Sequence, residues 1–212
     1  MPVFNPARPD APVGSVQYVD EAQLEVAFDT AGAAFFEWDQ RGGAKRAEIM
    51  ERAADLFEQQ RFELMALCQL EAGKTLADAL SEIREAVDFM RYYAVRARQE
   101  FDVPSVLNGP TGERNEYSLH GRGLFVCISP WNFPLAIFTG QLSAALLAGN
   151  AVLAKPAEQT PLIAWRAIQL LHEAGVPRAV LQYLPGEGVS LGAKLTSDIR
   201  VDGVVFTGGT DT

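Results

Sequence analysis

Apolar residues recur every three or four positions through the first hundred residues, then gather into short continuous runs beyond Gly123. That change of period predicts helices first and buried strands afterwards. Asp20 is placed as an N-cap, with Leu24, Ala27, Phe28, Ala31 and Phe35 on the inner stripe behind it. Gly42-Gly43 breaks this pattern, and a second helix carries Ile49, Ala53, Leu56 and Phe57. A short third helix sets Leu64, Leu67 and Cys68 on one side and ends at Gly73. The longest helix runs from about Thr75 to Phe101, with Leu76, Leu80, Ile83, Val87, Met90 and Ala94 on its apolar face. Its opposite face, with Glu82, Arg84, Glu85, Asp88 and Arg91, reads as solvated. Residues 1–19, rich in Pro, Ala and Gly, read as an irregular lead-in, and Pro104 to Gly112 as an exposed loop. Glu113 to Leu119 reads as a polar edge strand.

Beyond Gly123 the chain alternates strand and helix. Leu124 to Ile128 is an apolar run of the kind buried on both faces. Pro130 and Pro134 bracket Trp131-Asn132-Phe133, so the chain leaves the strand in an extended turn. Pro134 is expected early in the helix that follows, with Leu135, Phe138, Leu142, Ala145 and Leu146 on one face. Ala151 to Ala154 is a second strand, and Thr160 is expected to cap a helix through Ala174 that Gly175-Val-Pro177 stops. Val180 to Leu184 is a third strand, Val189 to Leu195 a short helix, and Gly203 to Phe206 a fourth strand. The fold class expected is therefore α/β: N-terminal helices, then a Rossmann-like parallel sheet with right-handed crossovers and helices on both faces.

Charge and cysteine content narrow the function. With 27 acidic against 18 basic residues, the net charge of -9 argues against a nucleic-acid surface. No apolar run approaches a membrane span, and the start of the chain does not resemble a signal peptide. Cys68 and Cys127 form no metal or redox spacing, and the two histidines, His120 and His172, leave no evident zinc set. The expectation is a cytoplasmic protein in a reducing compartment.

Four strand ends deliver Ser-Pro-Trp-Asn, Lys-Pro-Ala-Glu, Pro-Gly-Glu-Gly and Thr-Gly-Gly to the same edge of the expected sheet. Glycine at such turns lets backbone N–H groups approach a phosphate, and Asn132 projects a neutral amide into the crevice there. The usual G-x-G-x-x-G fingerprint after the first strand is absent. Gly186-Glu-Gly188 alone would read as an ordinary turn.

These stretches resemble the aldehyde dehydrogenase superfamily. The resemblance rests on Asn5-Pro6-Ala7, Glu71-Ala-Gly-Lys-Thr75 and the run from Gly123 to Thr207. More narrowly, Glu82-Ile-Arg-Glu-Ala-Val-Asp-Phe-Met-Arg-Tyr-Tyr-Ala94 is similar to the glutamate-semialdehyde (1-pyrroline-5-carboxylate) dehydrogenase module of bacterial proline utilization A. So are Ile128-Ser-Pro-Trp-Asn-Phe-Pro-Leu-Ala-Ile-Phe-Thr-Gly140 and Ala154-Lys-Pro-Ala-Glu-Gln-Thr-Pro161. The resemblance implies that the Asn132 amide donates to the oxyanion that develops as a thiol adds to an aldehyde substrate. It implies that Lys155 and Glu158 hold the adenosine ribose hydroxyls of the cofactor, and that Glu158 favours NAD over NADP by repelling a 2′-phosphate. Ser129, Pro130, Trp131, Pro156, Ala157, Gly188, Val189, Gly208 and Gly209 match positions lining that cofactor.

The resemblance also implies a division of the chain. Residues 1–103 would be the helical portion of an NAD-binding domain, 104–122 a loop and oligomerisation arm, and 123–212 the first four strands of its sheet. The catalytic domain, with the family's nucleophilic cysteine and general-base glutamate, would lie downstream of Thr212, so the chain is expected to be an inactive fragment of a homo-oligomeric enzyme. The family's Phe-Thr-Gly-Ser-Thr-Glu is replaced by Phe206-Thr-Gly-Gly209-Thr-Asp211, which removes a hydroxyl facing the pyrophosphate. Two other readings stand beside this one. A truncated module could bind nucleotide or dock on a partner without turnover, or the chain could be an unrelated nucleotide-binding α/β domain.

Overall fold

A four-stranded parallel sheet organises the computed structural model, which describes residues 1–209. The elements in chain order are β1 (Pro2–Asn5), β2 (Arg8–Ser15), α1 (Glu21–Asp39), α2 (Gly43–Gln59), α3 (Arg61–Ala72) and α4 (Leu76–Glu100). Then come β3 (Ser105–Leu107), β4 (Asn115–Tyr117), β5 (Leu124–Ile128), α5 (Ala136–Leu147), β6 (Ala151–Lys155) and α6 (Pro161–Ala174). The chain continues through β7 (Leu181–Tyr183), one π-helical turn (Gly188–Gly192), α7 (Ala193–Ser197) and β8 (Gly203–Phe206). Strand order in the sheet is β7-β6-β5-β8, all parallel. The steps β5 to β6 and β6 to β7 run one way, so right-handed crossovers put α5 and α6 on the same face. The step from β7 to β8 reverses past β5 and puts α7 on the other face. There α1 packs across β6, β5 and β7, and Lys194 of α7 pairs with Glu21 of α1 at 2.8 Å. The reversal makes the β5–β8 junction a topological switch point.

Helix α5 is buried and α6 buries one face, and their ends are closed by side chains from the N-terminal helices rather than by their own residues. At the start of α5, the Leu135 and Ala136 N–H groups donate to Glu82 Oε2 of α4 at 3.2 and 2.8 Å. At its end, Arg46 Nε donates to the Leu147 carbonyl at 3.1 Å and Trp38 Nε1 to the Leu146 carbonyl at 2.9 Å. At the start of α6, Leu162 and Ile163 donate to the two oxygens of Glu71 at 2.7 and 2.8 Å, and at its end Arg52 donates to Ala174. A carboxylate at each N-terminus and a guanidinium at each C-terminus complement the helix dipoles and satisfy groups that water cannot reach. Burial pushes Glu71 up to about 7 despite its two N–H donors. Between these caps α5 buries Phe138, Leu142 and Leu146 completely, each side chain contributing ~1.5–3 kcal/mol.

Several expectations need correction. Glu82 is not on a solvated face: it is 1% exposed, because that side of α4 meets the first turn of α5. Thr160 sits at the N-cap of α6 without a side-chain cap bond, since Glu71 occupies the role and the Thr160 Oγ1 is buried without a partner among the described residues. Pro134 lies in the turn before α5 rather than in the helix. Residues 1–19 are not irregular throughout: β1 and β2 pair as a bulged antiparallel ladder that buries only Val3 and packs on α3. The loop expected at 104–112 contains β3, which pairs antiparallel with β4, so the polar edge strand has its partner within the chain. The short helix at 189–195 is a π-helical turn running into α7. Gly43 opens α2 where a Cβ would stand 2.1 Å from the Ala97 carbonyl oxygen, so close backbone approach of α2 and α4 requires glycine. No helix among the described residues is long and apolar enough to cross a membrane.

Candidate functional site

The carboxyl ends of the strands meet along one edge of the sheet. Their ladder continues one residue past the strands: Ser129 N–H donates to the Lys155 carbonyl at 3.3 Å, Thr207 to Ile128 at 3.1 Å, and Leu184 to Ala154 at 2.9 Å. Gln141 of α5 staples the switch point, its Nε2 donating to the Ile128 carbonyl and to Thr207 Oγ1, both at 3.1 Å. Sequence reasoning missed Gln141, which looked like one more position on a helix.

The loop after β5 leaves the sheet from buried Ser129 through half-buried Pro130 to exposed Trp131, Asn132 and Phe133. Among the described residues the Asn132 amide has no hydrogen-bond partner, so it does not bond its own backbone. An exposed donor on a proline-bracketed loop beside a switch point can stabilise negative charge on a ligand oxygen.

After β6, Lys155 is 3% exposed and its Nζ donates to the Pro156 carbonyl at 3.2 Å. Burial lowers the pKa of its ammonium, while the Glu158 carboxylate pulls the other way. Pro156 is buried, Ala157 half-buried and Glu158 exposed. After β7, a Cβ added at Gly188 would meet only Glu158 Oε1, at 3.7 Å, so packing does not demand glycine there and the backbone stays open to approach. Val189 beside it is 91% exposed. Burial raises the pKa of Tyr18, and the carboxylates of Glu158 and Glu187 raise it further, which gathers these three side chains in one neighbourhood. The Val19 N–H donates to the Pro185 carbonyl at 3.0 Å and ties the segment before α1 to this edge. Tyr18 carried no sequence signal. After β8, the Phe206 ring folds back so that a Cβ on Gly208 would stand 2.6 Å from it. Gly209 is exposed; Thr210 and Asp211 lie outside the described residues.

Features elsewhere offer less. A cavity of about 260 Å³, lined by Phe28, Asp29, Gly123, Leu124, Arg200 and Asp202 among others, opens at the amino ends of β5 and β8, on the edge opposite to Asn132. Ser118 Oγ lies 3.1 Å from His120 Nε2, and His120 Nδ1 3.0 Å from Asp39 Oδ2. This has the connectivity of a nucleophilic triad, but His120 is 60% exposed and the water around it screens the charges such chemistry depends on. Cys68 and Cys127 are fully buried, and burial pushes both thiols up to about 12, so neither supplies a thiolate near neutral pH.

Comparison with known proteins gives the family and the fold. The sequence pattern of the aldehyde dehydrogenase family spans residues 1–212. The chain is 51% identical over 210 residues to the bifunctional protein PutA of Klebsiella aerogenes, covering 99% of this chain and 15% of that protein. It is 41% identical over 208 residues to the 1-pyrroline-5-carboxylate dehydrogenase of Anoxybacillus flavithermus, covering 98% of this chain and 40% of that protein. Among solved structures, 1-pyrroline-5-carboxylate dehydrogenase from Thermus with bound NAD superposes with a TM-score of 0.92 at 36% identity, covering 96% of this chain and 40% of that one. The chain thus spans well under half the length of these relatives.

Proposed function

Because this chain belongs to the aldehyde dehydrogenase family, we propose that it is the N-terminal part of the NAD-binding domain of an enzyme that oxidises L-glutamate γ-semialdehyde to L-glutamate in proline catabolism. The observation that carries the reading is the convergence of Asn132, Lys155, Glu158 and Gly188 on one carboxyl edge at the switch point of the sheet. The residues suit the cofactor. Glu158 is an exposed carboxylate that accepts hydrogen bonds from ribose hydroxyls and repels a 2′-phosphate, which favours NAD over NADP. Gly188 leaves room for close backbone approach. Ser129, Pro130, Trp131, Pro156, Ala157, Val189, Gly208 and Gly209 line the remainder of the site. NAD, when bound, supplies the hydride acceptor.

This chain's own residues would bind and orient. The Asn132 amide would donate to the substrate oxygen as negative charge grows on it, an interaction of ~3 kcal/mol in the transition state. The nucleophilic thiolate and the general base would come from the remainder of a longer polypeptide. Exposure of both strands of the β3–β4 hairpin supports self-association of the assembled enzyme. Two buried free cysteines suit a cytoplasmic setting.

The test is turnover by the complete polypeptide that carries this segment. Glutamate semialdehyde should drive NADH formation with a higher kcat/KM than aliphatic aldehydes of equal length. Equal rates with all of them would overturn the assigned substrate, and no aldehyde-dependent NADH would overturn the activity.

A further inference from the structure

Resting on the reading of Asn132 as an oxyanion donor, we propose that Lys74 and Glu82 are positioning residues that hold the Trp131-Asn132-Phe133 loop in its working pose. The first turn of α5 has no cap of its own: Pro134 lacks an N–H, and Leu135 and Ala136 have apolar side chains. Glu82 supplies the acceptor from α4, taking the Leu135 and Ala136 N–H groups on Oε2 at 3.2 and 2.8 Å. A carboxylate 1% exposed needs a counter-charge. Lys74 provides it, with Nζ 2.9 Å from Glu82 Oε1. The same ammonium stands 4.1 Å from the centroid of the Phe133 ring, a cation–π contact.

Phe133 is therefore held twice. Its ring lies under Lys74, and its carbonyl accepts the Ile137 N–H of the first helical turn at 3.3 Å. Asn132 precedes it directly and has no hydrogen-bond partner of its own among the described residues. The direction of its amide is set by what grips its neighbours, not by its own contacts. A displaced donor loses much of its effect even when present, because stabilisation of developing charge depends on placement to a fraction of an ångström. The two residues come from the Glu71-Ala-Gly-Lys-Thr75 stretch and from the face of α4 that sequence pattern assigns to solvent, which is why neither stood out as part of the site.

Lys74→Met keeps the stem and removes the charge; Lys74→Arg restores it. In the complete polypeptide, amide exchange at Leu135 and Ala136 should accelerate by about tenfold or more in Lys74→Met and recover in Lys74→Arg. In the complete polypeptide, kcat with glutamate semialdehyde should fall roughly ten- to a hundredfold in Lys74→Met. KM for NAD should stay within about twofold, and Arg should recover most of the rate. A role confined to stability would lower Tm, speed exchange alike at the buried amides of α5 and α6, and leave kcat at the parent level, and that result would overturn the proposal. Glu82→Ala is the stronger perturbation; if it does not fold, Lys74→Met still decides. Asn132→Ala separates the two readings: unchanged kcat there would refute the oxyanion role, and the loop-positioning claim would then stand or fall on the exchange rates.

Discussion

Replacing Glu71 with Gln sets two opposed forces against each other at the buried start of α6. Two backbone N–H groups at 2.7 and 2.8 Å and the helix dipole favour the carboxylate, whereas 3% exposure disfavours it. Burial wins, raising the group from 4.5 to about 7. Below about 4.5 the folded and unfolded states both hold the proton, and the stability tied to it is fully present. Between about 4.5 and 7 only the folded state holds it, so that stability drains away as the pH rises, by ~3 kcal/mol in all. The Glu71→Gln side chain has no such dependence, but its amide can accept only one of the two N–H bonds and leaves the other donor unpaired, a loss of ~1–3 kcal/mol. Urea denaturation of the parent and Glu71→Gln chains from pH 5 to pH 8 isolates the effect, because the other titrating groups cancel in the difference. The parent's advantage should be largest at pH 5 and shrink by ~2–3 kcal/mol by pH 8. An advantage that instead grows with pH would contradict this and show that the amides and the dipole outweigh desolvation.

Three further outcomes follow from the same physics. Arg46→Met removes the buried donors to the Trp38, Asp39 and Leu147 carbonyls; it should cost ~3–5 kcal/mol in denaturant melts, and a loss under ~1 kcal/mol would show that water replaces the guanidinium. Cys68 and Cys127 should resist a thiol reagent in the native chain and react only at the rate of unfolding; prompt labelling of either would contradict their burial. In the complete polypeptide, Glu158→Gln should lower kcat/KM for NAD and raise it for NADP, shifting the ratio about tenfold per ~1.4 kcal/mol lost. An unchanged ratio would mean that Glu158 is a solvated loop charge.

What could be read in the chain before its structure, and what could not, divides by range. Asp20 was legible as a cap because its bond runs to the Gln23 N–H three residues on, and a capping box closes there. Thr160 looked the same and does not cap, because an acceptor 91 residues earlier in the chain takes the amides instead. Glu82 meets the same limit: Arg84, Glu85, Asp88 and Arg91 on that face of α4 are exposed as the pattern predicts, but helical periodicity does not say that a helix N-terminus faces Glu82. The β1–β2 hairpin escaped because only Val3 is buried in it, so no period-2 pattern exists to be seen; docking on α3 supports the ladder. The four parallel strands were legible from their apolar runs, and parallel pairing with right-handed crossovers fixes their carboxyl ends on one edge. The neighbours of those ends, Gln141 and Tyr18, belong to other elements and left no local trace.

The Asn132 amide is proposed to act on an oxyanion at the carboxyl edge of this sheet. Single-turnover hydride transfer by the complete polypeptide, measured for the parent and for Asn132→Ala under saturating NAD and glutamate semialdehyde, tests it most directly. The expected rate is lower by roughly a hundred- to a thousandfold, with NAD affinity within about twofold of the parent. A rate within about threefold of the parent would contradict the claim, because an amide worth ~3 kcal/mol in the transition state cannot be removed without slowing the step.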